Sequence, residues 1–200
     1  MKPLKYATIA IPLTLILSSI MSLIPILSKS YSFNNILFLL SLVQIIFTVI
    51  IYLGYINLGK YTQDKALETT SWVCLILIFI TNIFASILIL DSDRSLFKII
   101  VQFPVILLTN SIIYILLGIV LLRIKKVQFT RTVGILGIIL GLMGIVSMVY
   151  LGPVDMGNIS LIKAALQGLL GIVAIIFFVL QILMFYRASL QFEGKKRKKK

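Results

Sequence analysis

The chain has 200 residues, 60% of them hydrophobic and 12% charged, with a mean hydropathy of +1.12. The apolar residues come in long unbroken runs, which is a membrane composition, and no connection between them is long enough to hold a soluble domain. A net charge of +13 invites a nucleic-acid partner, but the cations gather in the connections between apolar runs, so none is expected.

Six runs are long enough to carry a helix across about 30 Å of hydrocarbon, which takes about 20 residues at roughly 1.5 Å each. They lie near 8–28, 36–57, 71–90, 99–122, 133–151 and 162–186. The fold class expected is all-α: one polytopic bundle of six transmembrane helices over 1–186, followed by a basic cytoplasmic tail at 187–200. Lys2 and Lys5 ahead of the first run give it the start of a secretory signal. Its apolar stretch continues to about Leu27 without a small-x-small cleavage site, so an uncleaved first helix is expected. Of the 19 Lys and Arg, 15 fall on the side that holds both termini and the second and fourth connections, and four (Lys29, Arg94, Lys98 and Lys163) on the other. The positive-inside rule then puts both termini in the cytoplasm; the membrane expected is the plasma membrane of a prokaryote. Without the seven cations from Arg187 onward the ratio is still eight to four.

Helix 1 carries Ala7, Ala10, Thr14, Ser18 and Ser22 at helical spacing, a small and weakly polar packing face. Helix 2 is the most polar, with Ser41, Gln44, Thr48, Tyr52 and Tyr55 on one face; Gln44 at mid-depth requires that face to point into the bundle or towards a cavity. The following loop, GKYTQDKALETT, holds Asp64 and Glu68, four residues apart and expected to be solvated. Helix 3 starts at Trp72, an interfacial anchor, and carries Cys74, Thr81, Asn82 and Ser86. Asp91 and Asp93 in the next loop make only an incomplete cation site, with Arg94 competing. Helix 4 supplies Gln102, Pro104, Thr109, Asn110, Ser111 and Tyr114; Pro104 is expected to kink it, and Tyr114 needs a partner inside.

Helix 5 bears Gly134, Gly137, Gly141 and Gly144 on one narrow stripe, a seam without side chains that invites a second helix to approach. Ala164, Gly168 and Gly171 form a matching small face on helix 6, and the short joining loop GPVDMGNIS predicts that helices 5 and 6 are antiparallel neighbours and the tightest pair. Asn158-Ile-Ser160 is a glycosylation sequon by chance expectation. The tail ends in Lys195, Lys196, Arg197, Lys198, Lys199 and Lys200, either a solvated topology signal or a site for anionic lipid headgroups at roughly 1 kcal/mol per cation. Helices 1, 3 and 5 and helices 2, 4 and 6 start about 62 residues apart, which implies three similar hairpins.

The chain has no histidine, a single cysteine, and no Asp, Glu, Lys or Arg deep inside a span. Histidine-based catalysis, disulfide chemistry and carboxylate proton relays are therefore not expected, nor is a metal or cofactor. Two functions follow, neither enzymatic. The reading preferred from sequence is an accessory or interaction protein whose small faces bind other membrane helices, from another protein or a second copy of this chain. The alternative is a carrier or substrate-binding subunit for a neutral or weakly polar solute or lipid, with Gln44, Asn82, Gln102, Asn110 and Gln181 as uncharged hydrogen-bonding groups around a mid-membrane pocket. Six spans, cytoplasmic termini and the small face on helix 1 resemble, in gross architecture, the substrate-binding component of energy-coupling factor transporters. The alanine-rich coupling pattern of that family falls here on Ala10, Thr14 and Ser18, and no vitamin-binding motif accompanies it.

Overall fold

Apolar runs without water around them must pair their backbone groups internally, and a helix does this within one segment. The computed structural model accordingly contains six helices: α1 (Lys2–Leu27), α2 (Phe33–Thr62), α3 (Lys65–Leu90), α4 (Leu96–Arg123), α5 (Thr130–Leu151) and α6 (Leu161–Arg197). All six are long and apolar enough to cross a membrane. The structure describes residues 2–27, 33–90, 96–151 and 161–197, and the side chains of 2–21, 35–86, 105–148 and 168–194. The expectations about Asp91, Asp93, Arg94 and Asn158, and those about the side chains of Pro104 and Lys163, lie outside these.

Each helix packs on its chain neighbours, and α6 returns to α1, so the six form a closed ring. One end of the ring gathers the start of α1, the α2–α3 turn, the α4–α5 loop and the end of α6. Three polar contacts hold that end together: Lys5 Nζ to Glu193 Oε1 at 2.6 Å, Lys126 Nζ to the Thr62 carbonyl at 3.3 Å, and Lys60 Nζ to Glu68 Oε1 at 3.7 Å. Exposed ion pairs of this kind contribute little. The dry core beside them, including Leu4, Ala7, Ile11, Ile56, Leu67 and Met184, carries the packing.

The α2–α3 connection is far tighter than the twelve-residue loop expected. α2 runs on to Thr62, Gln63 adopts φ 59°, and its N–H and that of Asp64 donate back to the Lys60 and Gly59 carbonyls at 3.3 and 2.9 Å. This double bond to the last turn is the Schellman closure. Asp64 Oδ1 then accepts the Leu67 N–H at 2.9 Å and caps α3. The turn thus needs only Gln63 and Asp64, and Asp64 and Glu68 act as a cap and an ion-pair partner. At the α4–α5 loop, Thr130 Oγ1 donates to the Ile124 and Val127 carbonyls at 2.7 and 2.9 Å.

The helix 5 seam is present, but its partner is α4 and not α6. A Cβ added to Gly134 would lie 2.7 Å from the Gly118 carbonyl oxygen, and one added to Gly118 would lie 2.6 Å from that of Gly134. Gly141 and Gly144 meet Ser111 of α4, and Gly137 meets the Tyr114 backbone. Ser111, Gly118 and the backbone around Tyr114 lie at spacings of three and four on α4, so the two backbones come close there, with Ile115 and Ile138 packed against the glycines of the facing helix. Gly168 and Gly171 of α6 have nothing within 4 Å of an added Cβ, and the Ala164 side chain lies outside the described residues. Among the described residues, packing is closest for α4–α5, then α1–α2 and α2–α3, and sparser for α3–α4, α5–α6 and α1–α6.

The last helix runs past residue 186. α6 continues to Arg197; Ala188, Ser189 and Phe192 are buried, and Phe192 stacks on Tyr61 with ring centroids 4.6 Å apart. The apolar spacing of 185, 188 and 192 keeps this stretch on the bundle after the uninterrupted apolar run has ended. The side chains of Lys195, Lys196 and Arg197, and all of Lys198, Lys199 and Lys200, lie outside the described residues.

Gly141→Ala should destabilise the bundle by about 1–3 kcal/mol, because its methyl would sit 2.5 Å from the Ser111 carbonyl oxygen. Gly168→Ala should leave stability unchanged or raise it. Thermal unfolding of the two variants in the same detergent checks this; equal shifts would contradict the α4–α5 seam.

Candidate ligand cavity

Between the helices of the ring lies a partly open cavity of about 330 Å³, at the small end of the range of roughly 300–1,000 Å³ for small-molecule sites. Its polar wall comes from five helices: Thr14 and Ser18 of α1, Gln44, Thr48, Tyr52 and Tyr55 of α2, Asn82 of α3, Asn110 and Tyr114 of α4, and Gln181 of α6. The spacings 14/18, 44/48/52/55 and 110/114 place each set along one inward stripe. Helix α5 presents Val133 and Gly137, and α4 adds Gly118; the two glycines fill none of the lumen. Among the described residues, no Asp, Glu, Lys or Arg lines it.

Some of this polarity is satisfied within the protein. Thr14 Oγ1 donates to the Ala10 carbonyl at 2.8 Å and Thr48 Oγ1 to that of Gln44 at 2.9 Å, the usual solution for a helix hydroxyl. Gln44 Nε2 donates to Ser18 Oγ at 3.0 Å and links α2 to α1. Gln181 Nε2 donates to the Tyr55 hydroxyl at 2.6 Å across the bundle. Beyond the cavity, Ser41 Oγ donates to Ser86 Oγ at 2.8 Å.

The remainder is not satisfied. Gln181 Oε1 is buried and has no hydrogen-bond partner. Among the described residues, no hydrogen bond engages the side-chain amides of Asn82 and Asn110 or the hydroxyls of Tyr52 and Tyr114, all four of which line the cavity. Tyr114, expected to find an internal partner, instead sets its ring edge-on to Phe177 at 5.6 Å, and Phe177 meets Phe178 at 5.5 Å. Tyr55 is fixed between Phe185 at 4.9 Å and Tyr52 at 6.1 Å. Aromatic walls and unused amides thus surround one space.

Four of the five residues singled out from sequence, Gln44, Asn82, Asn110 and Gln181, meet here. Gln102 lies in α4, but its side chain is outside the described residues. Tyr52, Tyr55, Thr48, Thr14 and Ser18 were legible as polar face residues but not as members of the site. Their sharing of a stripe with Gln44 was the available signal. The small face of α1 is turned inward: Ala7 and Ala10 are buried, Ala7 lies against Gly54 of α2, and Thr14 and Ser18 line the cavity. The coupling face implied by the transporter resemblance is therefore not offered outward by these residues.

A second recess of about 200 Å³ lies at the α4–α5 loop, bordered by Lys125 and Arg131. Among the described residues, no three His, Cys, Asp or Glu side chains come together. Comparison with protein-family models, with curated proteins and with solved structures finds no match.

Removing the Tyr55 hydroxyl alone strands the buried Gln181 amide, so Tyr55→Phe should cost about 1–3 kcal/mol of stability. Adding Gln181→Leu should recover most of that loss, because no polar group is then left unpaired. Denaturation of the two single variants and the double variant measures the coupling; additive losses would show that the two side chains do not act as a pair.

Proposed function

We propose that this protein is a membrane-embedded carrier or substrate-binding subunit for a small uncharged solute, held at mid-depth inside the ring. The observation that supports this best is the convergence of Asn82, Asn110, Tyr52 and Tyr114 on one cavity, with no hydrogen-bond partners among the described residues. Tyr52 is buried and the other three are partly exposed, and none of the four hydrogen-bonds through its side chain to another described residue, whereas interhelical glue is by definition paired. Gln44, bonded to Ser18, fits the glue description; the two asparagines do not. A charged ligand would meet no counter-charge in the lining and would bear its full desolvation cost. The close packing of α1–α3 and of α4–α5, with sparser contacts between these groups, suits a cavity whose two walls separate to admit a solute.

The accessory reading loses most of its motive. The small faces of α1 and α5 are taken up by α2 and α4, and what remains is the open pair Gly168 and Gly171. The proposed orientation, with both termini in the cytoplasm, rests on the crowding of cations at the turn end of the ring. Maleimide labelling of Lys126→Cys on a Cys74→Ser background, from one side of sealed vesicles, tests that placement; reaction from the outer side of intact cells would reverse it.

Binding is measured as thermal stabilisation of the full chain by single-ring bases, sugars, polyols and charged analogues of similar size. Uncharged members should stabilise it and charged ones should not. Asn82→Leu with Asn110→Leu should abolish the shift while leaving unfolding without ligand within about 0.5 kcal/mol, since neither amide holds another residue. Stabilisation that survives both substitutions would remove these residues from the site.

A further inference from the structure

The cavity holds a specific hydrogen-bonding edge, and from it we infer the class of solute: a flat, neutral heterocycle carrying a cyclic-amide edge, an N–H beside a C=O, as in lactams, imides and pyrimidine bases. The inference rests on the ligand-binding reading of the cavity and goes beyond it.

Gln181 and Tyr55 are joined by one hydrogen bond, in which Gln181 Nε2 donates to the Tyr55 oxygen at 2.6 Å. That bond leaves two complementary functions side by side. Gln181 Oε1 is an acceptor with no partner, and the Tyr55 hydroxyl hydrogen has no acceptor among the described residues. Both side chains are nearly fully buried, Gln181 at 4% and Tyr55 at 2% exposure, and both line the cavity. If the amide is turned over, its oxygen takes the Tyr55 proton and its N–H₂ becomes the unpartnered group, so one orphaned function of the amide persists in either assignment. An isolated carbonyl on a ligand satisfies only one half of this pair, and a hydroxyl must donate and accept through a single oxygen, whereas a cyclic amide presents its donor and its acceptor on separate atoms side by side. A cyclic amide satisfies both, since its N–H reaches Oε1 while its carbonyl accepts from the tyrosine.

The walls favour a flat ligand. Tyr114, Phe177 and Phe178 meet edge-to-face in sequence, and Tyr55 is braced by Phe185, so aromatic surface stands next to the polar edge. Aromatic walls combined with side-chain amides are the means by which proteins read the edge of an unstacked base, with hydrogen bonds in the ring plane and contact on its faces. Asn82 and Asn110 supply further donors and acceptors for the far side of such a ring. The small cavity volume limits the ligand to one or two rings.

The test is calorimetric titration of the full chain in detergent with uracil, 1,3-dimethyluracil and myo-inositol. Uracil should bind, and dimethyluracil, which keeps the ring and carbonyls but lacks both N–H groups, should bind at least about tenfold more weakly. The double variant Tyr55→Phe with Gln181→Leu should lose at least about tenfold in uracil affinity; the comparison of the two uracils on unaltered protein stands even if that variant fails to fold. Equal binding of uracil and dimethyluracil, or binding of inositol alone, would overturn the cyclic-amide edge and leave the neutral-solute cavity intact. Failure of all three compounds to bind would overturn the edge, and failure of the wider panel of uncharged solutes as well would overturn the cavity reading with it.

Discussion

The structure depends on how closely α4 and α5 approach. Gly118 and Gly134 face one another so tightly that neither can carry a Cβ, and Ser111 closes the same seam against Gly141 and Gly144. In hydrocarbon no hydrophobic force draws helices together, so association relies on dispersion contacts that only small residues allow at this range. Gly118 and Gly137 also border the lumen of the ring. The α4–α5 seam thus forms part of the cavity wall.

What surrounds that space is polar without being charged. An ordinary bundle core of this composition would be leucine and phenylalanine, as it is toward the turn end, where Leu4, Ile56, Leu67 and Phe185 are completely or almost completely buried. Farther in, amides and phenols replace them. Gln44 with Ser18 and Gln181 with Tyr55 show that the fold can pair such groups across helices when they serve packing. The orphaned Oε1 of Gln181 and the unengaged Asn82 and Asn110 depart from that economy, and departures from local satisfaction are where function is expected in an otherwise consistent fold.

Much of this was legible in the sequence. Six apolar runs gave the helices because length and hydropathy are one-dimensional properties, and Gln44, Asn82, Asn110 and Gln181 stood out because an amide in an apolar span needs a reason. The neighbour of the glycine stripe was not legible. Periodicity identifies the face of a helix but not what covers it: Gly168 and Gly171 looked the better match, whereas a single Gly118 with Ser111 seven residues before it forms the seam. Helix ends were missed for a related reason. Hydropathy records where apolar runs stop, but the helix of α2 continues through Lys60 to a turn set by Gln63 and Asp64, and α6 continues on the strength of Ala188 and Phe192. Tyr52 and Tyr55 were recognised as polar face residues, yet their place in the site emerged only when α6 brought Gln181 against them.

The account stands or falls on whether the cavity is occupied by a small molecule in the living membrane. Native mass spectrometry of the full chain, extracted gently from its own host, reads this directly. The account predicts one small uncharged molecule retained per chain and lost from the Asn82→Leu, Asn110→Leu double variant. A chain that carries no small molecule and is held instead in stoichiometric complex with a second membrane protein would contradict it.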